Sequence, residues 1–288
     1  MDREANAQPF IHTNGVIGNC AGRPLLVHDG QPVPETAYCD YIISQGWDER
    51  IAEFAANGVR VYLVHPRGEE LDYLWNIPGH KPPREIQGLT VDRQVEIILQ
   101  HKPDALFYVR MGATVPGAWA GAHPDDMQTD EDGRRHADAT LASPRYLQDV
   151  QGFFTNLVRY CEGRPWGARI IGYLEASYGE GVMPLNIAGK MFDCSPANET
   201  AFRDWLKARY GADEALQQAW NQTNATLAAA RVPRDREWLE RRRNAQPTIG
   251  GKPAVGRHLS SNSGERPSGL FHWIEADNAR VEHDYCRF

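Results

Sequence analysis

The chain has 288 residues, of which 41% are hydrophobic and 10% aromatic, and a formal net charge of -7. That length and apolar content can form a substantial core, in one large domain or two small ones. An acidic total argues against a nucleic-acid backbone as partner, and no run approaches the roughly 18 consecutive apolar residues that span a bilayer.

The first ten residues lack the basic and apolar regions of a signal peptide, so the sequence as it stands is expected to be cytoplasmic; a longer start would be compatible with secretion. Cys20, Cys39, Cys161, Cys194 and Cys286 form no Cys-x-x-Cys pair, and their odd number argues for free thiols. His65, His80, His101, His123 and His136 show no spacing that places metal ligands on one helical face, so no metal or cofactor is implied. The one basic run, residues 231–243, is interleaved with Asp235, Glu237 and Glu240 and reads as a charged helical face.

After an irregular start over residues 1–35, residues 34–43 read as a strand rich in Tyr and Ile. Residues 48–56 read as an amphipathic helix ended by Asn57-Gly58. The pattern then repeats: a strand over 59–65, a helix over 91–100 and a third strand over 105–111. A long polar loop follows. The next helix runs to Tyr160, with Ser143 as its N-cap and Pro144 at its first position, and leads to a fourth strand over 169–174. Helices over 196–210, capped by Ser195 and stopped by Gly211, and over 213–220 come after it.

Strands alternating with helices imply a parallel sheet, and no Gly-x-Gly-x-x-Gly follows the first strand to favour a doubly wound nucleotide-binding sheet. The long loops after strands three and four favour an α/β fold of the (β/α)8 TIM-barrel type. Four strand units already reach residue 174, and the remaining chain, with its polar stretch over 244–269 and a single apolar run over 270–274, does not hold four more. The expectation is therefore the first half of a barrel over residues 36–288, truncated at its carboxyl end. Its exposed strand edges predict pairing with another half or homo-oligomerisation.

The fourth strand empties into a loop carrying Glu175 and Glu180, at the end of the strand where barrels keep their chemistry. A solvated loop glutamate is the bland reading of each.

The segment Phe202-Arg-Asp-Trp-Leu-Lys-Ala-Arg-Tyr-Gly211, followed by Asp213-Glu-Ala-Leu-Gln-Gln-Ala-Trp220, carries a more specific signal. It resembles the Phe-Arg-x-Trp-Leu-x-x-x-Tyr-Gly, x-x-x-Leu-x-x-Ala-Trp signature that follows the fourth strand in β-galactosidase-like glycoside hydrolases of clan A, family 42 and its relatives. Helix packing explains Phe202, Leu206 and Tyr210 at i, i+4 and i+8. It does not explain the ordered Trp-Leu, Tyr-Gly and Ala-Trp set. The resemblance extends more weakly to Ile170-Ile-Gly-Tyr173, Asp193-Cys-Ser-Pro196, Ala118-Trp119 and His123-Pro124-Asp125, covering residues 36 to 230.

The resemblance implies hydrolysis of a terminal β-linked sugar by a retaining mechanism, with a protonated carboxyl serving the leaving oxygen and an ionised one about 5 Å away attacking the anomeric carbon. It places the acid/base just past strand four, where Glu180 stands, with Glu175 as the alternative. The family has Asn before this Glu, whereas Gly179 precedes Glu180 and Leu174 precedes Glu175. A Gly-flanked acid can approach a ligand closely, which favours Glu180. The nucleophile belongs to a later strand; Glu275 imitates one but reads as the start of a loop or helix.

For an oligosaccharide or glycoside partner, Trp119 is a stacking candidate or a plug for its loop. Asp40, His65 and Arg110 sit at the ends of strands one to three, placed to bind hydroxyls or to tune Glu180. Arg110 is equally a structural ion-pair candidate. His123 and Tyr178 complete the candidate set. The chain by itself is expected to be inactive for want of the second carboxylate. A non-catalytic carbohydrate-binding protein on the same barrel is the alternative reading; a lyase or aldolase finds no strand-end Lys for a Schiff base.

Overall fold

A computed structural model of the chain describes residues 15–20, 22–33, 36–40, 46–175, 192–237, 248–249, 252–253 and 284. In chain order these form β1 (Gly15–Cys20), β2 (Arg23–His28), β3 (Gln31–Pro32), β4 (Ala37–Tyr38), α1 (Trp47–Ala56), β5 (Val61–Val64), α2 (Glu69–Leu74), α3 (Val91–His101) and β6 (Leu106–Met111). There follow α4 (Gly117–Ala122), β7 (Met127–Thr129), β8 (Arg135–Ala139), α5 (Pro144–Glu162), β9 (Ile170–Glu175), α6 (Pro196–Tyr210), α7 (Asp213–Trp220), β10 (Thr248–Ile249) and β11 (Lys252–Pro253). The chain divides into two compact units, one of Met1–Pro116 with Gln148–Val182 and one of Gly117–Leu147 with Met183–Phe288.

The first unit is organised by a four-stranded parallel sheet in the order β4-β5-β6-β9. β5 is buried along its whole length, as expected of a central parallel strand covered on both faces. One face lies against helical and loop side chains: Phe107 meets Trp166 edge-on at 6.0 Å, and the Tyr173 hydroxyl donates to Glu162 at 3.0 Å. On the other face Val61, Leu106 and Ile171 form a cluster with Val33, with Leu26 packed beside it. Gly172 stands opposite Tyr108 in the ladder, where a Cβ would come within 2.9 Å of the Tyr108 ring.

Three helices of this unit follow the expected apolar periodicity. α1 buries Trp47, Ile51 and Ala55, and ends at Asn57-Gly58 with Gly58 at φ 86°. α3 starts at Thr90, whose side chain accepts from the Arg93 N–H, and buries Val91, Gln94, Val95 and Ile98. α5 buries Val150, Phe153, Leu157 and Cys161, and Phe153 stacks on Trp75 at 5.1 Å.

The amino-terminal stretch, expected to be irregular, instead contains an antiparallel meander, β1-β2-β3. Its turn signal is Asp29-Gly30, with φ of 50° and 75°, the positive pair that a tight two-residue hairpin requires. His28, buried, bonds through Nε2 to the Ala168 carbonyl and ties the meander to the approach of β9.

In the second unit the segment expected to be a polar loop holds α4 and the hairpin β7-β8. Asp130 closes that hairpin, taking the N–H groups of Asp132 and Arg134 on Oδ1 and His136 on Oδ2. Strands this short and polar give no alternation to read. Ser143 accepts from the Tyr146 N–H and Ser195 from the Asn198 N–H, so both expected N-caps form. Gly211 ends α6 at φ 72°. Phe202, Leu206, Leu216, Trp220 and Val232 make the apolar cluster of the α6–α7 pair. Asp284 is buried against the pair, accepting from Tyr210 at 2.7 Å and Trp220 at 2.8 Å.

Two buried carboxyls carry measurable consequences. Glu199 accepts from the Val232 N–H at 2.9 Å and from Arg234 at 2.6 Å. Its replacement by Ala strands both donors, and urea unfolding of Glu199→Ala is expected to show a loss of about 3 kcal/mol. Glu70, fully buried, receives the Val91 N–H at 2.9 Å, yet burial outweighs that bond and pushes its carboxyl up to about 8. The folded state then holds a proton that the unfolded state releases, so this contribution is complete below about pH 4.5 and is lost as pH rises through 8. Unfolding free energies measured from pH 5 to 9 should fall in the native chain and stay flatter in Glu70→Gln.

Candidate active site

Parallel register decides which side chains meet at the carboxyl edge of the sheet. Val61 pairs with Leu106, Val64 with Val109, Arg110 with Leu174 and Met111 with Glu175. Side chains alternate along a strand, so Arg110 shares the face of Leu106 and Tyr108, and His65 continues the face of Val61 and Leu63. Both therefore lie on the face that the meander covers at its amino end. At the carboxyl end Leu174, the register partner of Arg110, is 43% exposed.

His65 follows directly on β5 and is buried, and its Nδ1 has no hydrogen-bond partner among the described residues. Burial, with the positive charges of Arg110 and Arg67 against the weaker pull of Asp40, lowers its pKa to about 4. At neutral pH the ring is an uncharged imidazole. Its backbone is held by Gln94 of α3, whose side chain accepts from the His65 N–H at 3.2 Å and donates to the His65 carbonyl at 2.8 Å.

Asp40 follows β4, and its Oδ2 accepts from Arg50 of α1 at 3.2 Å and from the Tyr38 hydroxyl at 3.1 Å. Arg50 also donates to the Tyr38 oxygen at 3.4 Å, so the three side chains form one ring of contacts. This gives Asp40 a structural job at the first strand.

Glu175 is the last residue of β9, one step beyond the Arg110–Leu174 pair. Glu180 and Tyr178 lie outside the described residues. The sheet thus brings Asp40, His65, Arg110 and the Glu175 backbone to one edge.

Trp119 and His123 belong to the second unit. Trp119 is 4% exposed, with His123 at 4.8 Å and Tyr146 edge-on at 6.1 Å, which is the packing of a plug.

Sequence reasoning missed Arg67 and Gln94. The signal for Gln94 was a polar residue at a core position of an amphipathic helix; Arg67 sits in a loop with no period to mark it. Among the described residues Cys39, Cys161 and Cys194 are free, and no group of three or more His, Cys, Asp or Glu is placed to hold a metal.

The glycoside hydrolase family 42 model, described as β-galactosidase, matches residues 48–224, more than half of the 288. The chain belongs to glycoside hydrolase family 42. It is similar in structure to the β-galactosidase of the psychrophilic Marinomonas ef1, with 20% identity and a TM-score of 0.50 over 69% of this chain and 30% of that one. It is similar also to the β-galactosidase of the Antarctic haloarchaeon Halorubrum lacusprofundi, with 18% identity and a TM-score of 0.51 over 69% of this chain and 29% of that one. At this identity the likeness speaks for the fold. No curated protein sequence matches the chain.

This family 42 chain spans less than a third of the length of those two structures. Its parallel sheet with crossover helices is a partial (β/α)8 barrel, with four of the eight strands in the described sheet. No described helix is long and apolar enough to cross a membrane.

The electrostatic environment of His65 can be read directly. In wild type the imidazole NMR signals of His65 should not titrate until the pH falls toward about 4. Removing one of the two positive charges in Arg110→Met should raise that midpoint.

Proposed function

We propose that the protein acts on a terminal β-linked sugar, with the carboxyl edge of the β4-β5-β6-β9 sheet as part of its sugar site. The observation that carries this reading is the convergence of His65, Arg110 and the end of β9 on one strand edge in a family 42 chain. In a (β/α)8 enzyme that edge is where the reacting groups are mounted.

Neutral His65 offers a hydrogen bond to a hydroxyl. Arg110 offers a charged donor, and its charge favours the ionised form of a nearby carboxyl, suiting the stage at which the acid/base works as a base. Glu180 is the proposed acid/base, with Glu175 as the alternative, in a retaining mechanism. Its carboxyl gives a proton to the departing glycosidic oxygen and later takes one from the water that hydrolyses the glycosyl-enzyme. The nucleophile is proposed to come from a later barrel strand; among the described residues no parallel strand follows β9. Residues 36–288 are assigned to the catalytic barrel domain. Residues 1–35 are assigned to an amino-terminal segment, of which Leu26 and Val33 pack on the sheet.

The test uses aryl β-galactosides with good and poor leaving groups, on this chain and on a form extended to a complete barrel. The extended form of Glu180→Gln should lose about 10²- to 10⁴-fold with the poor leaving group and far less with the good one, while Glu175→Gln keeps most activity. Full activity of Glu180→Gln on the poor leaving group sinks the assignment. Sugar binding without turnover by the extended wild type would favour a non-catalytic carbohydrate-binding protein.

A further inference from the structure

The side chain of Gln94 is fully buried and directs its hydrogen bonds to backbone. Its Oε1 accepts from the His65 N–H at 3.2 Å, and its Nε2 donates to the carbonyls of His65 at 2.8 Å and Leu89 at 3.2 Å. Such an amide, both donors placed, has one orientation. The β5–β6 ladder ends at the Val64–Val109 pair, so His65 is the first residue beyond it. Taking both the N–H and the C=O of one residue is what an antiparallel strand neighbour does. Gln94 therefore extends the pinning of β5 by one residue, and that residue is the buried histidine at the sugar edge.

The ring that results has a defined hydrogen-bonding character. Nδ1 is buried without a partner among the described residues. Burying a lone pair there costs less than burying an N–H, since an orphaned donor is the rarer and more expensive defect. The proton of the neutral ring therefore belongs on Nε2.

We propose that Gln94 is a positioning residue of the active site, which by clamping both backbone groups of His65 holds its ring as the Nε2–H tautomer, a fixed donor to a sugar hydroxyl oxygen. This rests on the reading of the strand edge as a sugar site, and it adds a residue from the helix layer that touches no substrate. A neutral donor suits a ring in the field of Arg110, Arg67 and Asp40: the uncharged imidazole makes a directional bond without adding a third positive charge.

The test is long-range 1H–15N NMR of the histidine side chains of the full chain, which separates tautomers by their nitrogen shifts, with His65 assigned through His65→Gln. Wild type should show His65 as one Nε2–H tautomer between pH 5 and 8. Gln94→Leu, which leaves the His65 N–H and carbonyl without their partner, should give mixed tautomers and a titration moved up toward 6.5. Gln94→Glu keeps an acceptor for the N–H and should lie between. A structural role alone would lower the melting temperature and leave the His65 spectrum as it was.

Methyl β-galactoside titrated into the same proteins extended to a complete barrel should bind Gln94→Leu at least tenfold more weakly than wild type. An Nδ1–H or mixed tautomer in wild type overturns the proposal whether or not the variants fold, and so does an unchanged His65 spectrum in Gln94→Leu. If wild type shows the expected tautomer but its extended form binds no galactoside, the sugar-site reading fails while the clamp stands.

Discussion

Parallel pairing of β4, β5, β6 and β9 is the constraint on which the rest of the first unit depends. In a parallel ladder every strand leaves in the same direction, so the residues that end the strands arrive together however far apart they are in the chain. Tyr38↔Tyr62, Val64↔Val109 and Met111↔Glu175 carry the register across from β4 to β9. A slip of one residue would turn Arg110 and His65 to the helical face, where Phe107 and Tyr173 now pack. Register is held by burial on both faces: the meander through Leu26 and Val33 on one, Trp166 and Glu162 on the other.

Around that sheet the polar groups do most of the specifying. Thr90, Ser143 and Ser195 satisfy the first N–H groups of their helices. Glu70 bonds the start of α3 from α2, and Asp193 joins Thr129 to Ser195 by accepting both N–H groups. Each of these is a buried acceptor matched to backbone that would otherwise be unpaired, so each is worth more for what its loss exposes than for the bond itself. The same buried groups bring pH into the fold. Glu70 favours its protonated form and His65 its neutral form for one physical reason, the cost of a charge away from water.

The order of strands and helices was legible because period and punctuation agreed. α3 set its buried face at i, i+3, i+4 and i+7 from Val91, α6 began at Ser195-Pro196 and ended at Gly211, and β5 and β6 were apolar runs between helices. The meander and the β7–β8 hairpin were not, because their strands are two to six residues long and depend on turns, such as Asp29-Gly30 and the Asp130 closure, more than on periodicity. Of the site, the strand-end positions of His65, Arg110 and Glu175 were readable. The attachment of Asp40 to Arg50 and Tyr38, the burial of Trp119 and the clamp of Gln94 were not, since each is made by residues whose contact follows from packing.

The sequence by itself determined the alternation of elements, the family, through the ordered Trp-Leu, Tyr-Gly and Ala-Trp positions between Phe202 and Trp220, and the set of polar residues available at strand ends. Only the tertiary structure decided which of them share a face, which are spent on structural bonds and what charge they carry. Local propensity acts over a few residues, whereas register, burial and the field of Arg110 at His65 come from chain segments tens of residues apart brought together by the parallel ladder.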